Sequence, residues 1–332
     1  MKYHYLFGAS ALLCASAAAE LPDMQLDIEQ VTVSGLSSGG YMATQFHLAY
    51  ADWVSGAAII SAGPYPCARN SITTALSQCV NKVDGDLDVA ALSDMAASWA
   101  AEGKIAPLEA LKGDKVWLLH GTIDERIIEP VSDALTEQYR NWAGAENVVY
   151  VNDKPFSHHF PTETSGHACD VSEAPFVGAC NYDAAGNLLS HLYGELYGEL
   201  SAPAETLGGT LYSFDQQQLG GDAAASLADE GFVYIPESCV QGQTCKVHIN
   251  FHGCNQFAEV VGDEYVRLNG LNRWADSNNL VVLYPQAKAS MFMPLNPQGC
   301  WDWWGYTSEH YATAEGEQPL AVKTMVNNLA KK

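Results

Sequence analysis

The most constraining feature of this chain lies close to its amino end. A β-branched stretch, Val31-Thr32-Val33-Ser34, runs directly into Gly35-Leu36-Ser37-Ser38-Gly39-Gly40, and a helical pattern follows over Gly39–Tyr50. This is G-x-S-x-G between a strand and a helix, the setting in which the motif lifts one hydroxyl clear of a sheet. Glycines two before and two after the serine leave room for a sharp, strained turn. The N–H of the next residue then faces charge developing on a substrate, at a helix N-terminus. Only Ser37 satisfies the spacing, so it is the candidate nucleophile, and Ser38 is the candidate backbone donor.

The rest of the chain alternates short apolar runs with helical patterns, which implies a mostly parallel sheet covered on both faces. Strands are predicted at Gln30–Ser34, Ala57–Ser61, Lys115–His120, Asn147–Asn152, Phe232–Ile235, Val247–Phe251 and Leu280–Tyr284. Further helices are predicted at Val89–Ala101, Val131–Trp142, Glu259–Asn278 and Pro319–Ala330. Between about residues 163 and 230 the pattern loosens into loops, with one helix near Leu188–Leu200. No internal repeat or biased linker divides the chain. The simplest organisation is one α/β domain over residues 20–332 with a loop-rich insertion at about 163–230.

Residues 1–19 read as an export signal: Lys2, an apolar run Tyr5–Leu13, and small residues ending Ala17-Ala18-Ala19. That run is far shorter than the roughly 20 residues that span a bilayer. A secreted protein, extracellular or periplasmic, is therefore expected. The net charge of −23 argues against nucleic acid or an anionic membrane as partner, since both select basic surfaces. Beyond Cys14 stand eight cysteines: Cys67, Cys79, Cys169, Cys180, Cys239, Cys245, Cys254 and Cys300. An even count in an exported chain points to disulfides. Eight cysteines allow on the order of a hundred pairings, of which the nearest-neighbour set 67–79, 169–180, 239–245 and 254–300 is the simplest. No C-x-x-C or clustered Cys/His spacing indicates a metal site. Asp84-Gly85-Asp86-Leu87-Asp88 lacks the glycine and glutamate of an EF-hand loop and reads as a solvated acidic turn.

A serine nucleophile requires a base within hydrogen-bond reach and a carboxylate to orient that base. In α/β-hydrolases these follow in the order Ser, Asp, His, each after a strand. Val116-Trp117-Leu118-Leu119 leads into His120-Gly121-Thr122-Ile123-Asp124, which puts Asp124 at the carboxyl edge of the sheet. The next predicted strand is followed by Ser157-His158-His159-Phe160-Pro161. His158 and His159 are both candidates for the base. Asp153 is a spare carboxylate, as is Asp114, which precedes its strand.

Taken together, these motifs resemble the extracellular poly(3-hydroxybutyrate) depolymerases, especially the single-domain type whose hydrolase fold is circularly permuted. The matching pieces are Gly35-Leu36-Ser37-Ser38-Gly39-Gly40, His120-Gly121-x-x-Asp124, His158-x-Phe160-Pro161, Phe251-His252-Gly253-Cys254 and Cys300-Trp301-Asp302-Trp303-Trp304. The resemblance implies a permuted α/β-hydrolase fold and a serine esterase acting on a polyester or oligoester through Ser37, Asp124 and His158. It favours His158 over His159, adds the Cys254 N–H to that of Ser38 as an oxyanion donor, and requires no cofactor. Trp301, Trp303, Trp304 and Tyr306 become candidates for an apolar substrate wall, which a Cys254–Cys300 bridge would pin. His252 reads as structural. Motif order carries the permutation: the oxyanion-loop strand Val247–Phe251 normally precedes the nucleophile strand but here follows all three triad candidates. Feruloyl and acetylxylan esterases share several of these motifs and remain the alternative. A hydrolase fold used only for binding is the alternative of another class.

Overall fold

A computed structural model describes residues 20–83 and 87–331. The export signal expected over residues 1–19, and Asp84-Gly85-Asp86 of the acidic turn, lie outside the described residues. The main sheet is built from β1 (Gln25–Leu36), β2 (Val54–Ile60), β3 (Lys115–Gly121) and β4 (Val148–Lys154). Three short strands, β5 (Phe160–Thr162), β6 (His167–Ala168) and β7 (Val177–Ala179), form a small separate sheet. The main sheet resumes with β8 (Thr210–Asp215), β9 (Glu230–Ile235), β10 (Thr244–Phe251) and β11 (Leu280–Tyr284).

Its spatial order is β4-β3-β2-β1-β10-β11-β9-β8. The six strands from β4 to β11 run parallel, and β9 and β8 add an antiparallel edge. At the centre, Val33 pairs with Ala57 on one side and with Ile249 on the other. The first strand of the chain therefore sits beside one that arrives far later. The carboxyl-terminal helix Glu317–Leu329 packs against β1 and the helix Ser38–Ala49.

The central strands are buried on both faces, which is why they read as nearly unbroken apolar runs. Ile59 joins one core with Val33, Val247 and Ile249, beneath Phe46, Leu135 and Val326 of three covering helices. Its neighbours Ala58 and Ile60 point the other way, into a core with Trp117, Val282, Leu188, Tyr265 and Leu271. This is the two-residue alternation of a strand acting inside a two-faced sheet. Each fully buried aliphatic side chain contributes about 1.5–3 kcal/mol.

Two expectations need correction. The region 163–230 holds the expected helix, at Ala184–Tyr197 and packed on β2 and β3, but it also holds a strand that was not expected, β8, which forms the sheet edge. Thr210–Asp215 gives no strand signal in the sequence because an edge strand is only half covered and lacks a continuous apolar run. The single helix predicted over Glu259–Asn278 is three short ones, Ala258–Val261, Glu264–Leu268 and Leu271–Ser277. Gly262 (φ 59°) and Gly270 (φ 85°) take left-handed conformations that end helical runs. The eight cysteines form Cys67–Cys79, Cys169–Cys180, Cys239–Cys245 and Cys254–Cys300, the nearest-neighbour set.

Candidate active site

Ser37 stands between the end of β1 and the helix Ser38–Ala49, with φ 58° and ψ −122°. A left-handed non-glycine residue stores strain on the order of 1–3 kcal/mol and persists only where its surroundings enforce it. Here the Ser37 N–H donates to the Ile60 carbonyl at 2.9 Å, and the Ser37 carbonyl accepts from Tyr41 at 3.0 Å. The flanking glycines are steric requirements. A Cβ on Gly35 would lie 2.1 Å from the Gly39 carbonyl oxygen, and one on Gly39 would lie 2.2 Å from that of Phe251. The motif thus lets the new helix start directly against β10.

Asp124 follows β3, and His158 lies between β4 and β5, both at the carboxyl edge of the sheet. His158 Nδ1 is 2.8 Å from Asp124 Oδ2. The other carboxylate oxygen, Oδ1, accepts the N–H groups of Arg126 (2.8 Å) and Ile127 (3.0 Å). Burial by itself raises the Asp124 pKa, but the facing His158, through its charge and its hydrogen bond, together with the Ser61 hydroxyl and the Ile127 N–H, outweighs it and holds the carboxyl at about 2. Asp124 is therefore a buried negative charge whose Oδ2 holds the His158 ring through Nδ1.

The other candidates face elsewhere. His159 is fully buried; its Nδ1–H donates to the Val171 carbonyl, and its Nε2 lies 3.1 Å from Cys180 Sγ. Burial pushes its pKa below the ordinary imidazole value. His159, Cys169 and Cys180 form the metal-like cluster found among the described residues, but the two sulfurs are already joined to each other. Asp114 meets His47 at 3.0 Å, and exposed Asp153 pairs with Lys154. His252 is locked by its neighbours: Nδ1–H donates to the Gly253 carbonyl and Nε2 accepts from the Ala287 N–H. Burial lowers its pKa to about 4, in keeping with a neutral structural ring.

Ser37, Ser38, His158, Gly253 and Cys254 line one cleft of about 950 Å³. A Cβ on Gly253 would come within 3.4 Å of the Ser37 Cβ, so the loop after β10 closes directly on the elbow. The Ser38 N–H belongs to a helix's first turn, where no intrahelical acceptor exists. Gln256, which sequence reasoning missed, shapes this loop. It is buried, accepts the Gly253 N–H at 2.6 Å, and donates to the carbonyls of Pro175 (2.8 Å) and Phe176 (3.2 Å). Its role depends on a loop closure that has no sequence pattern.

The aromatic candidates divide. Trp303, Trp304 and Tyr306 line the cleft, with Trp303 stacked on Tyr41 at 4.6 Å between ring centroids. Trp301 is a correction: it is fully buried against Phe251 and His252, in the core and away from the cleft. The Cys254–Cys300 bridge ties the loop after β10 to the start of the tryptophan segment. Asp302, also missed, holds that segment in shape. Its carboxylate accepts from the N–H groups of Trp304, Gly305, Tyr306 and Thr307 and from the Thr307 hydroxyl. At the mouth, Ile72, Leu76, Met293 and Leu295 line the cleft while remaining 46–89% exposed, and neighbouring Phe292 is 84% exposed.

The mostly parallel sheet, with a strand-to-helix elbow at the carboxyl edge of its central strand, makes this chain an α/β-hydrolase. No family model matches it. It is 39% identical over 330 residues to the poly(3-hydroxybutyrate) depolymerase of Delftia acidovorans, covering 97% of this chain and 65% of that one, so it spans about two thirds of that relative. It is 34% identical over 326 residues to the polyhydroxybutyrate depolymerase of Talaromyces funiculosus, covering 94% of this chain and 93% of the relative. A PHB depolymerase solved in complex with an R3HB trimer superposes with a TM-score of 0.86 at 33% identity, covering 94% of this chain and 99% of that one. The PHB depolymerase of Penicillium funiculosum superposes at 0.84 with 33% identity, over 94% and 98% of the two chains. The chain belongs to the poly(3-hydroxybutyrate) depolymerase family.

Proposed function

We propose that this protein hydrolyses poly(3-hydroxybutyrate) or its oligomers through an acyl-enzyme on Ser37. His158 Nε2 takes the Ser37 proton as Oγ attacks the ester carbonyl, and Asp124 stabilises the imidazolium that forms. The N–H groups of Ser38 and Cys254 receive the tetrahedral oxyanion, one such donor being worth about 3 kcal/mol. The imidazolium protonates the departing alcohol, and a water activated by His158 then releases the 3-hydroxyacid and restores Ser37.

The observation that carries the substrate assignment is the cleft itself. Trp303, Trp304 and Tyr306 line it beside Ser37, and exposed apolar side chains ring its mouth. Such a surface suits an aliphatic polyester better than a hydrated polysaccharide. The relative solved with an R3HB trimer supports the same class. Secretion fits four disulfides, which persist in oxidising compartments. Among the described residues no helix is long and apolar enough to cross a membrane. The test compares soluble products from poly(3-hydroxybutyrate), feruloylated xylan and acetylated xylan. Release of 3-hydroxybutyrate or its oligomers from the first is expected. Release of ferulate or acetate without it would overturn the assignment.

A further inference from the structure

We propose that Arg126 forms a carboxylate subsite on the leaving-group side of the cleft, so that hydroxyacid oligomers with a free carboxyl end are preferred over uncharged ones. The inference rests on the assignment of Ser37 and His158 above. It begins from an imbalance of charge. The chain carries −23 overall, and a hydroxyacid oligomer or product is itself an anion. Apart from His158, the cleft is lined by uncharged residues and two with fixed charge, Glu125 and Arg126.

The position of Arg126 is set by the catalytic geometry. Its backbone N–H binds Asp124 Oδ1, and its Nε donates to the Ser172 hydroxyl at 3.3 Å. The same hydroxyl donates to the His158 carbonyl at 2.9 Å, so one serine joins the arginine to the proposed base. The guanidinium carbon lies 5.6 Å from the centroid of the Phe176 ring, which also lines the cleft. This cation–π contact and the Ser172 bond hold the guanidinium while leaving its terminal N–H groups available. Among the described residues no carboxylate forms an ion pair with Arg126.

Chemistry then fixes which part of the substrate meets it. His158 must protonate the departing alcohol oxygen, so the leaving group begins at the histidine. In a 3-hydroxybutyrate chain the fragment that leaves through its hydroxyl is the one bearing the carboxyl end. When that fragment is short, its carboxylate lies a few bonds beyond the oxygen, within the cleft that Arg126 and His158 both line. A guanidinium binds such a group through two parallel hydrogen bonds. Glu125, exposed and lining the same cleft, opposes the anion and moderates the preference.

The experiment measures kcat/KM for the 3-hydroxybutyrate trimer as free acid and as methyl ester. The enzymes are wild type, Arg126→Gln, Arg126→Lys and Glu125→Gln, each at low and moderate salt. Taking the acid-to-ester ratio within each enzyme cancels any general effect of substitution. Wild type is expected to favour the acid, with the ratio falling roughly five- to tenfold in Arg126→Gln, as suits a rim ion pair. Arg126→Lys should retain part of the preference, Glu125→Gln should raise it, and salt should weaken it. Hydrolysis of both trimers with the same ratio in wild type and Arg126→Gln would overturn the subsite alone. If neither trimer is cleaved while p-nitrophenyl butyrate is, the substrate assignment falls together with the subsite.

Discussion

Replacing Asp124 by asparagine tests the proposed base through atoms the structure names. The two carboxylate oxygens have different partners. Oδ1 accepts two backbone N–H groups, from Arg126 and Ile127, and Oδ2 faces His158 Nδ1. An amide in this position has one oxygen and one NH₂. Two backbone donors hold the oxygen at the Oδ1 position, so the NH₂ must face the histidine. Nδ1 then becomes an acceptor and the ring proton moves to Nε2, which can no longer take a proton from Ser37. The negative charge that would stabilise the imidazolium is lost as well. Removing both contributions in an Asp–His–Ser arrangement costs about 10⁴ in rate, or ~5 kcal/mol of barrier. Asp124→Asn should therefore fold normally, by circular dichroism, and show kcat/KM on p-nitrophenyl butyrate reduced by about three to four orders of magnitude. A folded variant within tenfold of wild type would show that Asp124 neither sets the His158 tautomer nor stabilises its imidazolium.

Further expectations follow from the same region. Because the folded Asp124 pKa lies at about 2 against an ordinary 3.8, the carboxylate contributes about 2–3 kcal/mol of stability, present above about pH 4 and lost as pH falls toward 2. Urea unfolding across that window should show the loss in wild type and a shallower slope in Asp124→Asn; equal slopes would contradict it. His158→Ala should abolish turnover of a soluble ester while His159→Ala, whose ring faces the Cys169–Cys180 bridge, retains most of it; the opposite order would move the base. Trp304→Ala should reduce polymer hydrolysis more than hydrolysis of a short ester, since only a longer acyl chain reaches a remote apolar wall. Equal losses would remove Trp304 from the binding surface.

The legible parts of the sequence were those in which local rules and chain topology agree. The elbow was visible because a β-branched strand, a helical pattern and two glycines leave little alternative around Ser37. Asp124 and His158 follow their strands in the order the fold demands, and the central strands announce themselves through burial on both faces. What was not legible depends on long-range closure. Trp301 and Trp303 stand two apart in one loop, yet one packs into the core on Phe251 and the other lines the cleft. That loop does not follow a strand's alternation, so spacing could not separate them. Gln256 matters only once the loop after β10 meets Pro175 and Phe176, and Arg126 only once Ser172 is brought to His158. The edge strand Thr210–Asp215 lacks the apolar run that marked its central neighbours.

If Ser37 carries the acyl group during hydrolysis of a polyester, its removal must stop release of soluble products. The most direct test is the clearing of a poly(3-hydroxybutyrate) suspension by wild type and by Ser37→Ala, with the soluble products identified by mass spectrometry. Wild type is expected to clear the suspension and release 3-hydroxybutyrate or short oligomers, while folded Ser37→Ala releases neither above the enzyme-free control. Clearing by Ser37→Ala at a rate near that of wild type, or a wild type that cleaves soluble esters but leaves the polyester and its oligomers intact, would contradict this role of Ser37.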